Sequence, residues 1–237
     1  MPKTRPSIFV PPSIFVGACL EAQPCVDAIQ DNLDSDHEVI PWNQGMFGVG
    51  QLMLTCLEEK LARFDFAILV LTADDVVVSR GEKSFAPRDN ILLEIGFCMG
   101  KLGVERTFLV CNCDAKMKLP SDLAGIVYAT FRPPVAGTWE TAMRNACTRI
   151  KHRIREIGPR KDRVREVVLN TSIRDLTLSS QVVSRLHEVG VENISDLIDY
   201  SEQEFLSVPG LGPSALDAVN RELSPMGLQL KHSVSPR

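Results

Sequence analysis

From residue 13 onward, short apolar runs alternate with amphipathic stretches, the pattern of a mostly parallel sheet with crossover helices. Five runs read as strands: 14–18, 38–42, 66–72, 107–111 and 126–130. The third is the most continuous, which puts it at the sheet centre, because a strand covered on both faces is apolar at nearly every position. Helices are expected near 21–33, 48–63, 89–101 and 119–124. A last one over 139–157 has Thr138 as its cap and Gly158 and Pro159 as its stop. The stretch 73–85 reads as a polar loop. PSIFV occurs twice, at 6–10 and 12–16, and only the second copy runs into a glycine turn. The second is therefore read as the strand, and 1–12 as an N-terminal extension.

Five strands with intervening helices make the domain at 13–158 an α/β, flavodoxin-like five-stranded parallel sheet, whose ligands bind outside the carboxyl ends of strands at the switch in strand order. After residue 158 the pattern changes. Arg149, Lys151, Arg153, Arg155, Arg160, Lys161, Arg163 and Arg165 crowd the helix end and the segment after it, so 159–169 reads as a basic linker. Its charge either sits in solvent at a negative helix terminus, the favoured reading, or meets a polyanion. Residues 170–230 show short helices at 179–189, 195–200, 201–207 and 214–223 without strand alternation. They form a second, small all-α domain, followed by a tail at 231–237.

Charge and cysteine usage narrow the classes. A net charge of −4 over 237 residues argues against a surface built throughout for nucleic acid. Seven cysteines without a CxxC fit a reducing compartment, and Cys111 and Cys113 read as two positions on one strand face rather than a metal site. No metal or cofactor is expected. Prolines interrupt the start where a signal peptide needs an apolar core, and no run reaches the length of a membrane span, so a cytoplasmic protein without a membrane partner is expected.

The densest chemical signal is APRDNILLEIGFCMGKLG, 86–103, placed where the cleft of such a sheet should lie. Pro87 stops the helix from extending backward, and Asp89 or Asn90 can cap it. Within 91–99 the only charge is Glu94. A carboxylate among Leu92, Leu93, Ile95 and Phe97 needs a partner or a function, since burying it alone costs several kcal/mol. A neighbouring Arg such as Arg88, or loop amides, would make it structural. Alternatively, with Asn90 one turn earlier on the same face, it would point into the cleft. A lone carboxylate suits glycosidic chemistry on a sugar that already bears a cationic leaving group, as in NAD⁺, where nicotinamide departs without protonation.

The run PRDNILLEIGF, with FDFAILVLTADD before it and GKLG after it, resembles the TIR-like domains of bacterial anti-phage systems, including those fused to STING-type receptors, over about 13–131. The resemblance implies that Glu94 is the NAD⁺-cleaving residue and NAD⁺ the substrate. It also implies that Gly17 and Ala18 line the nucleotide site, that Trp42 and the loop to Gly50, Phe47 included, flank it, and that Asp74, Asp75 and Arg88 border it. Where relatives often carry Ser-Ser-x-E, this protein has Ala18, Cys19, Leu20 and Glu21, so hydroxyl donors are missing. Read from the residues alone, Trp42 equally packs under a loop, and Asp74 and Asp75 equally cap a turn.

Residues 173–230 resemble the C-terminal domain of the bacterial RNA polymerase α subunit, through D-L-T-L-S, H-E-V-G-V with I-S-D-L, and the helix-hairpin-helix turn V-P-G-L-G-P-S-A-L built on Gly210 and Gly212. The family's DNA-contacting basic positions fall on Gln181, Pro213 and Ser214. Between 170 and 230, Arg174, Arg185 and Arg221 face nine acidic residues, a balance that repels a phosphate backbone. DNA binding is therefore disfavoured against self-assembly or a protein partner. The resulting expectation is an NAD⁺ glycohydrolase effector of anti-phage defence, active when assembled. The alternatives are a non-catalytic nucleotide-sensing or scaffolding module and a transcription-linked adaptor acting through the helical domain.

Overall fold

The computed structural model describes residues 8–41, 53–79, 81–123 and 125–231, and divides into two compact units, 11–160 and a helical unit formed by 161–231 with 8–10. In the first unit, strands β1 (Ser13–Gly17), β2 (Glu38–Pro41), β3 (Phe66–Leu71), β6 (Thr107–Asn112) and β7 (Ala129–Phe131) form one parallel sheet in the order β2-β1-β3-β6-β7. Strand order reverses between β1 and β3, so the switch point lies at their carboxyl ends. Alternate side groups serve opposite faces, as the strand period requires. Ile14, Val16, Phe66, Ile68 and Val70 pack under α1 (Gln23–Leu33) and α4 (Trp139–Ile157). Phe15, Ala67, Leu69 and Leu71 pack under α2 (Met53–Leu61) and α3 (Asp89–Leu102). Coverage on both faces explains the near-continuous apolar run of β3.

Asp65 ties this unit together from just before β3. Its fully buried carboxylate accepts the Ser13 N–H at 2.9 Å and the Arg160 N–H at 2.6 Å, joining the first strand to the end of the unit. Asp65→Ala should cost about 3 kcal/mol, because it strands buried donors that a charge had satisfied, and urea denaturation will measure this.

The Thr138 hydroxyl accepts the Thr141 N–H, capping α4 as expected. The basic end of this helix is spent on local ion pairs: Lys151 and Arg155 reach Asp36 at 3.0 and 2.9 Å, and Arg153 reaches Glu156 at 3.0 Å. Lys151, then Ser35 and Arg155, pull the Asp36 carboxyl down to about 2.

Several sequence expectations shift. The stretch 73–85 is no loop: β4 (Asp75–Ser79) and β5 (Glu82–Ala86) form an antiparallel hairpin, with Gly81 at φ +85° in the turn. Its valines were hidden among polar neighbours. The helix near 119–124 is a single 3-10 turn, Ser121–Leu123, and the strand at 126–130 is confined to Ala129–Phe131. Only that part pairs with β6, and Val127 points into solvent. The helix at 48–63 spans Met53–Leu61, its earlier part lying outside the described residues. Cys111 is buried in β6, whereas Cys113 is exposed beyond the strand end.

In the helical unit, the basic segment read as a linker folds as α5 (Lys161–Leu169). It precedes α6 (Ser180–Glu188), α7 (Ile194–Ile198), α8 (Glu202–Ser207) and α9 (Pro213–Leu223). Capping boxes at Asn193 with Asp196 and at Ser201 with Glu204 start α7 and α8. Gly210, at φ +87°, lies in the turn that joins α8 to α9 as a helix-hairpin-helix. The core includes Leu186, Ile194, Phe205 and Val219, with Val10 and Ile8 packed into it, so the first PSIFV copy contributes to a core of its own.

Candidate functional site

Helix α3 starts with Asp89 and Asn90 as its first residues. Neither caps it: the cap position is Arg88, which is extended and makes no capping hydrogen bond through its guanidinium. Asp89 instead places a negative charge in the first turn, where the helix dipole favours it. The helical period then turns Ile91, Glu94, Ile95, Cys98 and Leu102 inward. Glu94 is only 7% exposed, and its Oε2 has no hydrogen-bond partner among the described residues. Burial alone pushes its carboxyl up to about 7.

That oxygen lies against Gly17, the last residue of β1, which pairs with Leu69 of β3. A Cβ added at Gly17 would stand 2.6 Å from Leu69 Cδ1 and 3.0 Å from Glu94 Oε2. Glycine is therefore what allows the acid to reach the carboxyl ends of β1 and β3, at the switch point where a ligand is expected.

Around this point the two strand ends exchange polar contacts. The Cys19 thiol donates to Asp74 Oδ2 at 2.9 Å and lies 2.9 Å from the Thr72 hydroxyl, which donates to the same oxygen at 2.5 Å. Burial first, and then Asp74, raise the Cys19 thiol above its ordinary value. Arg88 pairs with Glu21 rather than Glu94, which removes the structural partner considered for the buried acid. Both members of that pair are solvent-exposed, so Arg88→Gln should leave the thermal midpoint of unfolding unchanged. Cys19, Glu21 and Asp74 offer ligand atoms within 4.8 Å of one another, but they are engaged by these bonds.

Of the residues singled out in the sequence, the structure brings Gly17 and Glu94 together. Ala18 follows Gly17, partly buried against the sheet core, and Asp74 and Arg88 enter the polar network beside it. Asp75 is exposed at the start of β4, and Asn90 is exposed and leaves Glu94 Oε2 unpartnered. Trp42 and Phe47 lie outside the described residues. Cys19, Glu21 and Thr72 were missed as members of the network. Thr72 directly follows the central strand at its carboxyl end, and that position was the available signal.

These features define a flavodoxin-like α/β unit with a buried, unpartnered acid at its switch point, in a protein that also carries a helix-hairpin-helix unit. The model of the CAP12/Pycsar effector protein TIR domain matches residues 13–133, and that of the C-terminal domain of the alpha subunit of bacterial RNA polymerase matches residues 160–225. The chain belongs to the TIR-domain family of the CAP12/Pycsar effector proteins. It is 35% identical over 149 residues to the Pycsar effector protein PaPycTIR of Pseudomonas aeruginosa, covering 62% of this chain and 48% of that protein. It is 33% identical over 143 residues to CD-NTase-associated protein 12 of Flavobacterium daejeonense, covering 60% and 45%. A DNA-directed RNA polymerase subunit alpha of Leifsonia xyli subsp. xyli matches at 36% over 80 residues, 33% of this chain and 24% of that one. The chain thus spans about half the length of the effector relatives it matches. Among the described residues no helix is long and apolar enough to cross a membrane.

Proposed function

We propose that this protein breaks the nicotinamide–ribose bond of NAD⁺ as an effector of bacterial anti-phage defence, and that it does so when assembled. The observation that carries this reading is Glu94: buried, without a partner for Oε2 among the described residues, and held against Gly17 at the switch point. A fold does not keep such a group without compensation unless something else arrives to meet it. NAD⁺ supplies a cationic nicotinamide ring, which favours the ionised carboxylate on binding. As the C–N bond breaks, its electron pair leaves with nicotinamide and positive charge develops on the ribose. Glu94 stabilises that charge, and water then adds to the anomeric carbon and releases a proton. The acidic composition of 170–230 supports a protein contact or self-association for the helical unit rather than a DNA contact.

A second reading, a nucleotide-sensing module without catalysis, draws on Ala18 and on Cys19, whose thiol is bonded to Asp74. Nicotinamide release from NAD⁺ at high protein concentration, beside Glu94→Gln, tests the first reading. Release that the variant loses supports the glycohydrolase. Silence from both, with NAD⁺ bound, supports the sensor, and equal release from both would show that Glu94 is structural.

A further inference from the structure

We propose that the open edge of β4 is a self-docking strand, through which two copies of this protein pair antiparallel and fix the hairpin beside the site. This rests on the reading that assembly governs activity, and it names the surface. Among the described residues β4 pairs only with β5, as a two-stranded sheet. The other side of β5 is engaged: Phe85 bridges to Met117, and its carbonyl accepts the Lys118 N–H at 2.7 Å. Among the described residues nothing pairs with the outer side of β4, so its backbone groups there are open to another strand.

Proteins block such edges with lysine, proline or a bulge. The run Asp75, Val76, Val77, Val78, Ser79 has no lysine or proline, and three β-branched residues in succession favour the extended state. One face of the hairpin carries three apolar side chains in water, Val76 at 60%, Val78 at 65% and Phe85 at 54% exposure, with Lys83 of β5 across from Val78. Phe85 stands directly across from Val76. A two-stranded hairpin is marginal by itself, and an apolar patch left in solvent beside an open edge marks a docking surface.

The strand's own sequence selects a second copy as its occupant. Antiparallel pairing about Val77 sets Val76 of one copy opposite Val78 of the other, twice, and Asp75 opposite Ser79, so valines meet and no carboxylates face each other. Parallel in-register pairing would oppose the two aspartates. The twofold arrangement gives a closed, isologous dimer with a continuous four-stranded sheet. The hairpin begins one residue after Asp74 and ends two before Arg88, so pairing steadies both segments that border the acid.

The test uses the whole 237-residue chain. Val76→Lys with Val78→Lys sets lysines opposite each other at both valine pairs, and both positions are exposed, so thermal unfolding should match the parent. Sedimentation should show association weakened by at least about tenfold, since like charges facing across a ladder repel. Nicotinamide release per molecule should rise with concentration in the parent and stay flat in the variant. The control, Val104→Lys with Val127→Lys, alters exposed valines elsewhere and should associate like the parent. A parent that stays monomeric at every concentration, or a β4 variant that associates like the parent, overturns the proposal. If association depends on β4 but neither form cleaves NAD⁺, the docking strand stands and the glycohydrolase reading fails.

Discussion

Glu94→Gln should lower nicotinamide release by about a hundredfold or more, and the same substitution should make the protein relatively more stable as the pH rises. The loss follows from removing the group positioned to meet charge on the ribose. The gain follows from burial. In the folded protein the carboxyl is pushed up to about 7, against an ordinary 4.5 when unfolded. Below the lower value both states hold the proton, so the shift adds no pH-dependent cost. Between the two values the unfolded state releases its proton and the folded one keeps it, so stability falls with pH. Above about 7 the cost levels off at about 3 kcal/mol. Glutamine carries no charge, so the stability difference between variant and parent should move by that amount in the variant's favour from pH 4.5 to pH 8. Denaturant titrations at the two pH values measure it. In the parent, kcat/KM should rise up to about pH 7 and then flatten, because the free enzyme must ionise Glu94 to act. A flat stability difference would mean that Glu94 is already ionised and partnered in solution.

Gly17→Ala should silence the site while changing a single methyl group. The added carbon would meet Leu69 Cδ1 at 2.6 Å, inside the closest approach that packed atoms tolerate, and would crowd Glu94 Oε2 at 3.0 Å. Leu69 is fully buried in the central strand and has little room to yield, so the unit should lose about 1–3 kcal/mol. Whatever stability remains, the methyl occupies the approach to the carboxylate, so nicotinamide release should fall well beyond the unfolded fraction. Activity measured per folded molecule, with folding followed by circular dichroism, separates the two effects. Full activity in a folded variant would place the substrate's path elsewhere.

Glu94 was legible because it is the only charge in an apolar helical stretch, whereas Gly17 entered as a site residue only through the family resemblance. That they touch was not legible, since 77 positions separate them and only the β1-to-β3 pairing brings the strand end under α3. Arg88 was a natural partner for the acid by proximity in sequence, yet Glu21, reached across the switch point, holds it. The Cys19, Thr72 and Asp74 contacts likewise span more than 50 positions between Cys19 and its two partners. The hairpin at 75–86 escaped notice because its first strand offers an apolar run of only three valines and its second, Glu82–Ala86, is mostly polar.

By itself the sequence determined the α/β sheet, its central strand, the last helix with its threonine cap and the candidate acid, because alternation, helical period and capping chemistry are local. The two copies of PSIFV mark where that reach ends. Locally identical, one lies between β2 and β3 with Phe15 fully buried, while the other gives Ile8 and Val10 to the helical core and leaves Phe9 in water. The glycine after the second copy already marked it as the strand, and only the tertiary structure gave the first copy its place in the helical core. Gly17 after the second copy fits against Leu69 and Glu94, and Asp65 holds the Ser13 N–H, whereas the first copy is followed by proline, whose ring would fall where even a Cβ meets Leu69 Cδ1 at 2.6 Å.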